Sequence, residues 1–219
     1  MALDRIGIVN LALDQAGLDT SFQTKARGWL NYVTQSLADN YNYRFYRKVA
    51  SDVPYLAGVK TYNLPTGFSK IDTIYRVSQD GSLGDQIFVM EPYAFDQYAR
   101  GYTGDPTLAL IDTRLLTITF NNTPSTTTST SYRLSYFVQP AVLSTNSTDD
   151  AVIPDFQDQN VLIQELMKMA YEHQDDDRYL SKKADAKEAN QELQRNQFQA
   201  TDTGVMDLSH AHFKSRRRR

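Results

Sequence analysis

The sequence predicts an α+β fold: a helical bundle of two N-terminal helices and long C-terminal helices, interrupted by an inserted antiparallel β domain and followed by an extended C-terminal tail. Three observations carry this. Apolar residues recur at spacings of three and four near both ends of the chain, between them short runs rich in Thr, Tyr, Ile and Phe alternate with turn residues, and beyond Gly204 periodicity is lost. The boundaries fall at 1–48 and 152–200 for the helical bundle domain, 49–151 for the inserted β domain and 201–219 for the tail. A length of 219 residues suits one medium domain, or one with a second inserted into it.

The first helix follows from Ala2, Ile6, Val9, Leu13 and Ala16, which share one helical face, and Gly17 supplies its stop. Thr20 and Gln23 have the spacing of a capping box for the second helix. There Phe22, Ala26, Trp29, Val33, Leu37 and Tyr41 form a second stripe, with the single tryptophan expected in the bundle core. A short loop would pair the two helices as a hairpin.

The middle zone reads as β. Val59 to Leu64 is a short strand ended by Pro65, and Ile71 to Val77 alternates apart from Ile74. Asp80-Gly81 and Gly84-Asp85 signal turns. Leu115 to Phe120 and Tyr132 to Val138 read as the best strand pair, and the Thr/Ser-rich stretch from Asn121 to Ser131 as the solvated tip of their hairpin. Pro92 to Arg100 reads as one short helix with Phe95 and Tyr98 facing inward.

Pro154 and Asp155 mark the return to helix after the polar linker Ser144 to Asp150. Leu162, Leu166, Met169, Ala170 and His173 share a face, and the run Asp175 to Asp177 predicts a loop or kink. Leu180 to Phe198 continues as a charged helix with few large apolar residues.

Composition excludes several classes. With no cysteine there is no disulfide framework and no thiolate metal site. The first residues lack a signal-peptide pattern, and no apolar run reaches the roughly 20 residues of a membrane span. The expectation is a protein assembled in a reducing cytoplasm. Lys214 to Arg219 hold five of the 23 basic residues and no acidic one, which leaves 18 basic against 26 acidic residues, a net charge of −8, for the rest. An acidic body is not a general nucleic-acid binder, whereas its cationic end seeks an acidic counter-surface.

The sequence holds no catalytic constellation, no cofactor-binding motif and no recognisable metal site. His173 sits on an apolar stripe, where a packed histidine is the plainer reading. His210 and His212 have a metal-compatible spacing but no third ligand. The three aspartates at 175–177 lack the alternating ligands and glycine of a calcium loop and read as a solvated or salt-bridging turn. The ten glycines form no phosphate cradle, and no nucleophile elbow occurs.

The order of several motifs nevertheless resembles a family, the head-to-tail adaptors of short-tailed bacteriophages and the related tail-tube accessory proteins. The matching stretches are Trp29 with Tyr41 to Phe45, Tyr62 to Pro65 with Phe68 and Ile71, and Gly104 to Pro106. Next come Leu115 to Phe120 with Tyr132 to Tyr136, then Asp149 to Pro154 before Leu162 and Leu166. The resemblance spans roughly residues 1 to 200. It implies a structural, non-enzymatic subunit of the virion neck, with no cofactor. Such adaptors form twelve-subunit rings under the portal protein, contact neighbouring adaptor subunits and tail or nozzle proteins, and let DNA pass without specific binding. Position and charge, rather than the resemblance, point to the tail as the portal-binding segment. Val205, Met206, Leu208 and Phe213 would be its apolar anchors, with Lys214, Arg216, Arg217, Arg218 and Arg219 as its cations. The alternative is a DNA-binding or packaging-accessory protein that uses the C-terminal arginine cluster, and a third reading is a wall-degrading hydrolase with paired carboxylates.

Overall fold

The computed structural model describes residues 2–98, 102–123, 130–154, 156 and 158–199. It is a mixed α+β structure whose chain divides into two compact units, Met1–Val33 with Leu143–Arg219, and Thr34–Val142.

In the first unit, Asp4 begins α1 (Arg5–Ala16) by accepting the Gly7 amide at 2.9 Å. Gly17 ends it in the left-handed region, φ 73°, with its amide on Leu13 and Asp14 carbonyls. The buried face is Arg5, Ile8, Val9, Ala12, Leu13 and Ala16. It is rotated from the predicted stripe, since Ala2 is exposed and Ile6 half-buried while an arginine is inside. The capping box at Thr20 is replaced by Asp19, which accepts the Ser21 amide at 2.8 Å and starts a short 3-10 turn, Thr20–Phe22. From it α2 (Gln23–Asn40) continues across the boundary at Val33 into the second unit. Ala26, Leu30, Val33, Leu37 and Ala38 are its buried apolar residues. Trp29 is only half-buried, one helical step off that face.

The return helix α4 (Gln159–Gln174) starts later than Pro154, because Asp158 is the residue that caps it, accepting from Asn160 at 3.0 Å. Leu3 and the Gln159 amide exchange two 2.7 Å hydrogen bonds, and the Tyr171 hydroxyl donates to the Gln15 carbonyl at 3.1 Å. These contacts at both ends make α1 and α4 parallel neighbours. The acidic run does break the helix: Asp175 takes the left-handed cap, φ 54°, and Asp176 accepts the Arg178 amide at 2.8 Å. Then α5 (Tyr179–Gln199) packs back on α4. Leu162, Leu166, Ala170, Ala186 and Leu193 are among the buried side chains of this pair.

The second unit holds two sheets. One has the order β1 (Arg47–Val49), β9 (Ser131–Val138), β4 (Phe68–Val77), β5 (Leu83–Gln86), with β2 (Val53–Pro54) also on β9, all antiparallel. The other has the order β3 (Thr61–Asn63), β8 (Thr117–Phe120), β7 (Leu108–Asp112), β6 (Phe88–Val89), with β6 parallel to β7. The short helix α3 (Pro92–Tyr98) packs on β7 through buried Phe95, whereas Tyr98 is exposed.

The strands expected to pair as a hairpin, β8 and β9, belong to different sheets. Both present alternate residues to one core, Ile118 and Phe120 from β8, Tyr132, Leu134 and Tyr136 from β9. That core also takes in Tyr55, Phe68, Ile74 and Ile87. Placing the two strands in opposite sheets puts their apolar faces toward a shared interior, and the Thr/Ser-rich connection links one sheet to the other. Its residues 124–129 lie outside the described ones. Lys70 of β4 caps the end of α2, donating to the carbonyls of Ala38, Asp39 and Tyr41 at 3.0, 3.2 and 3.3 Å. Burial holds its ammonium below its usual pKa.

Candidate functional site

Buried charge in the first unit is concentrated where Leu143 to Val152 passes the starts and middles of two helices. Arg27 of α2 grips Asp150 with both arms of its guanidinium, Nε to Oδ1 at 2.7 Å and Nη2 to Oδ2 at 2.6 Å. Those hydrogen bonds hold the Asp150 carboxyl below its usual value. Arg5 of α1 is fully buried; it donates to the Ser144 and Arg27 carbonyls, and its Nε has no hydrogen-bond partner. Burial, reinforced by the like charge of Arg27, lowers its pKa, against the opposing pull of Asp150 and Asp149. The first amides of α1 are satisfied by the same segment, Arg5 to the Val152 carbonyl at 2.8 Å and Ile6 to Asp150 at 3.2 Å. Asn31 acts like a strand neighbour to Leu143, donating to its carbonyl at 2.6 Å and accepting its amide at 3.3 Å. The arrangement fastens the segment Leu143 to Val152 to α1 and α2 as a strap.

His173 has an aromatic and cationic setting. Its ring is edge-on to Phe22 and Trp29, with centroids 5.8 and 5.6 Å apart, and its Nε2 lies 3.1 Å from the Lys25 ammonium. Lys25 also sits 5.7 Å above the Trp29 ring. The same ammonium lies 3.4 Å from Nδ1, so the ring is packed between two aromatic rings and a lysine. In the acidic turn, Asp176 pairs with Arg178 at 2.7 Å, and the hydrogen bonds from Arg178 lower its pKa to about 2. Arg178 in turn covers the Tyr171 ring at 4.5 Å. The salt-bridging turn expected from the sequence is thus the observed one. No group of three or more metal-ligating side chains occurs among the described residues. Burial pushes the phenols of Tyr55 and Tyr132, in the core of the second unit, far above their usual pKa.

In the second unit a run of large apolar side chains is exposed. Leu83, Phe88, Val89, Tyr93, Tyr98 and Tyr102 are all exposed, and they follow one another along the two outer strands β5 and β6, α3 and the loop beyond it. Sequence reading missed this edge because Asp80-Gly81 and Gly84-Asp85 looked only like turns. It missed the arginine clamp as well. The available signal was a charged residue beside each apolar stripe, Arg5 next to Ile6 and Arg27 next to Ala26.

The residues singled out for portal binding, Val205, Met206, Leu208, Phe213, Lys214, Arg216, Arg217, Arg218 and Arg219, lie outside the described residues, as do His210 and His212. No helix among the described residues is long and apolar enough to cross a membrane. Comparison with known proteins adds one match: the family model described as SU10 adaptor protein aligns with residues 6–211. Among curated proteins, none matches the chain.

Proposed function

The chain belongs to the SU10 adaptor protein family, an adaptor family of phage head–tail connection, and from that premise we propose that it forms a ring under the portal of a tailed phage, attaches the tail and continues the DNA channel. The family match over residues 6–211 is the observation that carries this reading. The charge distribution supports it. Apart from Lys214 to Arg219 the chain carries net −8, with 18 basic and 26 acidic residues, so a channel wall made from it would not hold DNA by counterion release. Copies of the chain would stand side by side in a ring of twelve, in the virion neck, after assembly in the host cytoplasm.

Residues 201–219 are the portal-binding segment in this reading. Val205, Met206, Leu208 and Phe213 fill apolar pockets, and Lys214 with Arg216 to Arg219 pairs with portal carboxylates. The ordering entropy of such a segment is offset by many equivalent attachments around the ring. Pelleting with portal-containing, tailless heads tests this. Full-length protein co-sediments, and protein lacking 203–219 stays in the supernatant while remaining folded. Replacing only Arg216 to Arg219 by serine weakens attachment, because the charge attraction is lost and the apolar anchors remain. Equal co-sedimentation of the full-length and shortened chains would refute the assignment of the tail.

A further inference from the structure

The two sheets of the second unit end in two open edges of opposite charge. β5 ends one sheet and β6 ends the other, so one extended stretch, Leu83 to Val89, borders both. Phe88 and Met90 donate to the Thr107 and Ala109 carbonyls on the β7 side, at 3.0 and 2.9 Å. By strand alternation the amide and carbonyl of Val89 face away from β7. At the other end, β1 and β2 border the first sheet and β3 borders the second. The Leu56 amide donates to the Tyr62 hydroxyl at 3.0 Å, which holds the β2 and β3 ends together. The Lys60 carbonyl accepts the Phe120 amide at 2.9 Å, and the Leu64 amide donates to the Leu116 carbonyl at 2.8 Å. Alternation therefore turns the amides and carbonyls of Thr61 and Asn63 away from β8. Large apolar side chains are exposed at both ends, Leu83, Phe88, Val89 and Tyr93 at the first, Val49 and Leu56 at the second. From Ser78 to Asp105 the sequence holds Asp80, Asp85, Glu91, Asp96 and Asp105 against the single cation Arg100. From Arg44 to Asn63 it holds Arg44, Arg47, Lys48 and Lys60 against the single acid Asp52. Part of this charge is paired within the unit, Arg76 with Asp85 and Asp105, Arg47 with Asp72, and Arg133 with Asp52. Glu91 and Asp96 at one end, and Lys48 and Lys60 at the other, are in no ion pair among the described residues.

We propose that these two edges meet between copies of the chain: the β5–β6 edge with α3 of one copy lies against the β1–β2 and β3 edge of the next, an inference that deepens the ring reading above and rests on it. Two copies joined through the same edge would set like charge against like. Unlike edges instead bring Glu91 and Asp96 of one copy toward Lys48 and Lys60 of its neighbour. The contact covers exposed apolar side chains on both sides. It also pairs outward backbone groups, which on a single copy form an open template for another strand. A contact between two different surfaces leaves one of each unused on every added copy, so it repeats, and it closes as a ring where the rotation per step allows. A contact through one shared surface stops at two copies. The opposite charge of the two edges thus selects the kind of contact that a ring needs.

The test uses the full-length chain, which has no cysteine of its own. One variant carries Gln97→Cys on α3 and another Ser51→Cys between β1 and β2, both at exposed positions. Each alone, and the two mixed, are treated with a short bismaleimide at high protein concentration. The expected result is a crosslinked dimer in the mixture, little in either variant alone, and a ladder of multimers when one chain carries both cysteines. Lys48→Glu with Lys60→Glu in the Ser51→Cys chain abolishes the dimer, and adding Glu91→Lys with Asp96→Lys to the Gln97→Cys chain restores it. Circular dichroism checks that each variant is folded. If the double reversal at the basic edge does not fold, Lys48→Glu alone, at an exposed position, serves instead. Absence of the dimer from the mixture would overturn the proposal, as would equal crosslinking of either variant by itself. A dimer unchanged by the charge reversals, or a loss that the matching reversal does not restore, would overturn it too. The crosslink is read without any portal, and portal attachment is read separately by pelleting, so the edge contact and the portal role can fail independently.

Discussion

Replacing Asp150 by alanine leaves the Arg27 guanidinium, whose side chain is only 8% exposed, without the carboxylate that takes two of its N–H groups at 2.7 and 2.6 Å. Breaking a buried pair from one side costs about 3–5 kcal/mol, because the remaining charge is desolvated and unpaired. Asp150 keeps 18% side-chain exposure, so water reaches the site and the lower end applies, about 3 kcal/mol. Arg5 adds to the strain, since Asp150 is the principal opposite charge acting on that buried cation. Urea unfolding followed by Trp29 fluorescence is the suitable assay: Trp29 is the chain's single tryptophan and lies in the same unit as the clamp. With a slope of about 2 kcal/mol per molar urea the midpoint falls by roughly 1.5 M. Asp150→Asn, which retains one acceptor, loses about half as much.

The same clamp gives a pH dependence. The folded-state pKa of Asp150 is depressed, first by the Arg27 hydrogen bond, so its contribution is fully present above the ordinary carboxyl value of 3.8 and is lost as pH falls through the lower folded value. Wild type therefore loses stability in that acid window, and Asp150→Asn loses less. An unchanged urea midpoint for Asp150→Ala, or identical acid slopes for wild type and Asp150→Asn, would refute the reasoning.

Four further outcomes follow from the packing. Ile74→Ala, at a fully buried position paired with Leu134 across β4 and β9, costs about 3 kcal/mol in the unfolding of the second unit, monitored by circular dichroism. Lys70→Met leaves three carbonyls at the end of α2 without their donor and costs about 1–2 kcal/mol, read from the same curve. Trp29→Ala costs about 1–2 kcal/mol by circular dichroism, less than for a fully buried tryptophan, because Trp29 is half-buried against His173 and Lys25. Shortening the Thr/Ser-rich stretch within 124–129 leaves the melting temperature nearly unchanged, since none of those residues is apolar apart from Pro124.

Helices were the most legible part of the sequence, because spacing of three and four survives local irregularity. The stop at Gly17 was legible because glycine suits the left-handed region at the end of a periodic run, and the break at Asp175 because three adjacent aspartates weaken helix propensity. Helix starts were less so. Asp19 and Asp158 do the capping, and an aspartate among several polar neighbours does not announce which amide it will accept. Strand existence was readable at β4, β8 and β9, but partnership was not. Alternation tells that Ile118, Phe120, Tyr132 and Leu134 face a core, and it is silent on whether they do so side by side or from opposite sheets. The clamp was hidden because a buried arginine carries no periodic signature; its partners, Ser144 and Asp150, are more than 100 positions away in sequence.

The adaptor reading itself is tested most directly by mixing the purified chain with a purified portal and viewing the product by electron microscopy in side and end projections. The expected product is a second ring of added density stacked coaxially on the tail-facing end of the portal, with subunits in register with those of the portal. Chain that remains separate from the portal, or density scattered around its rim without rotational order, would contradict it.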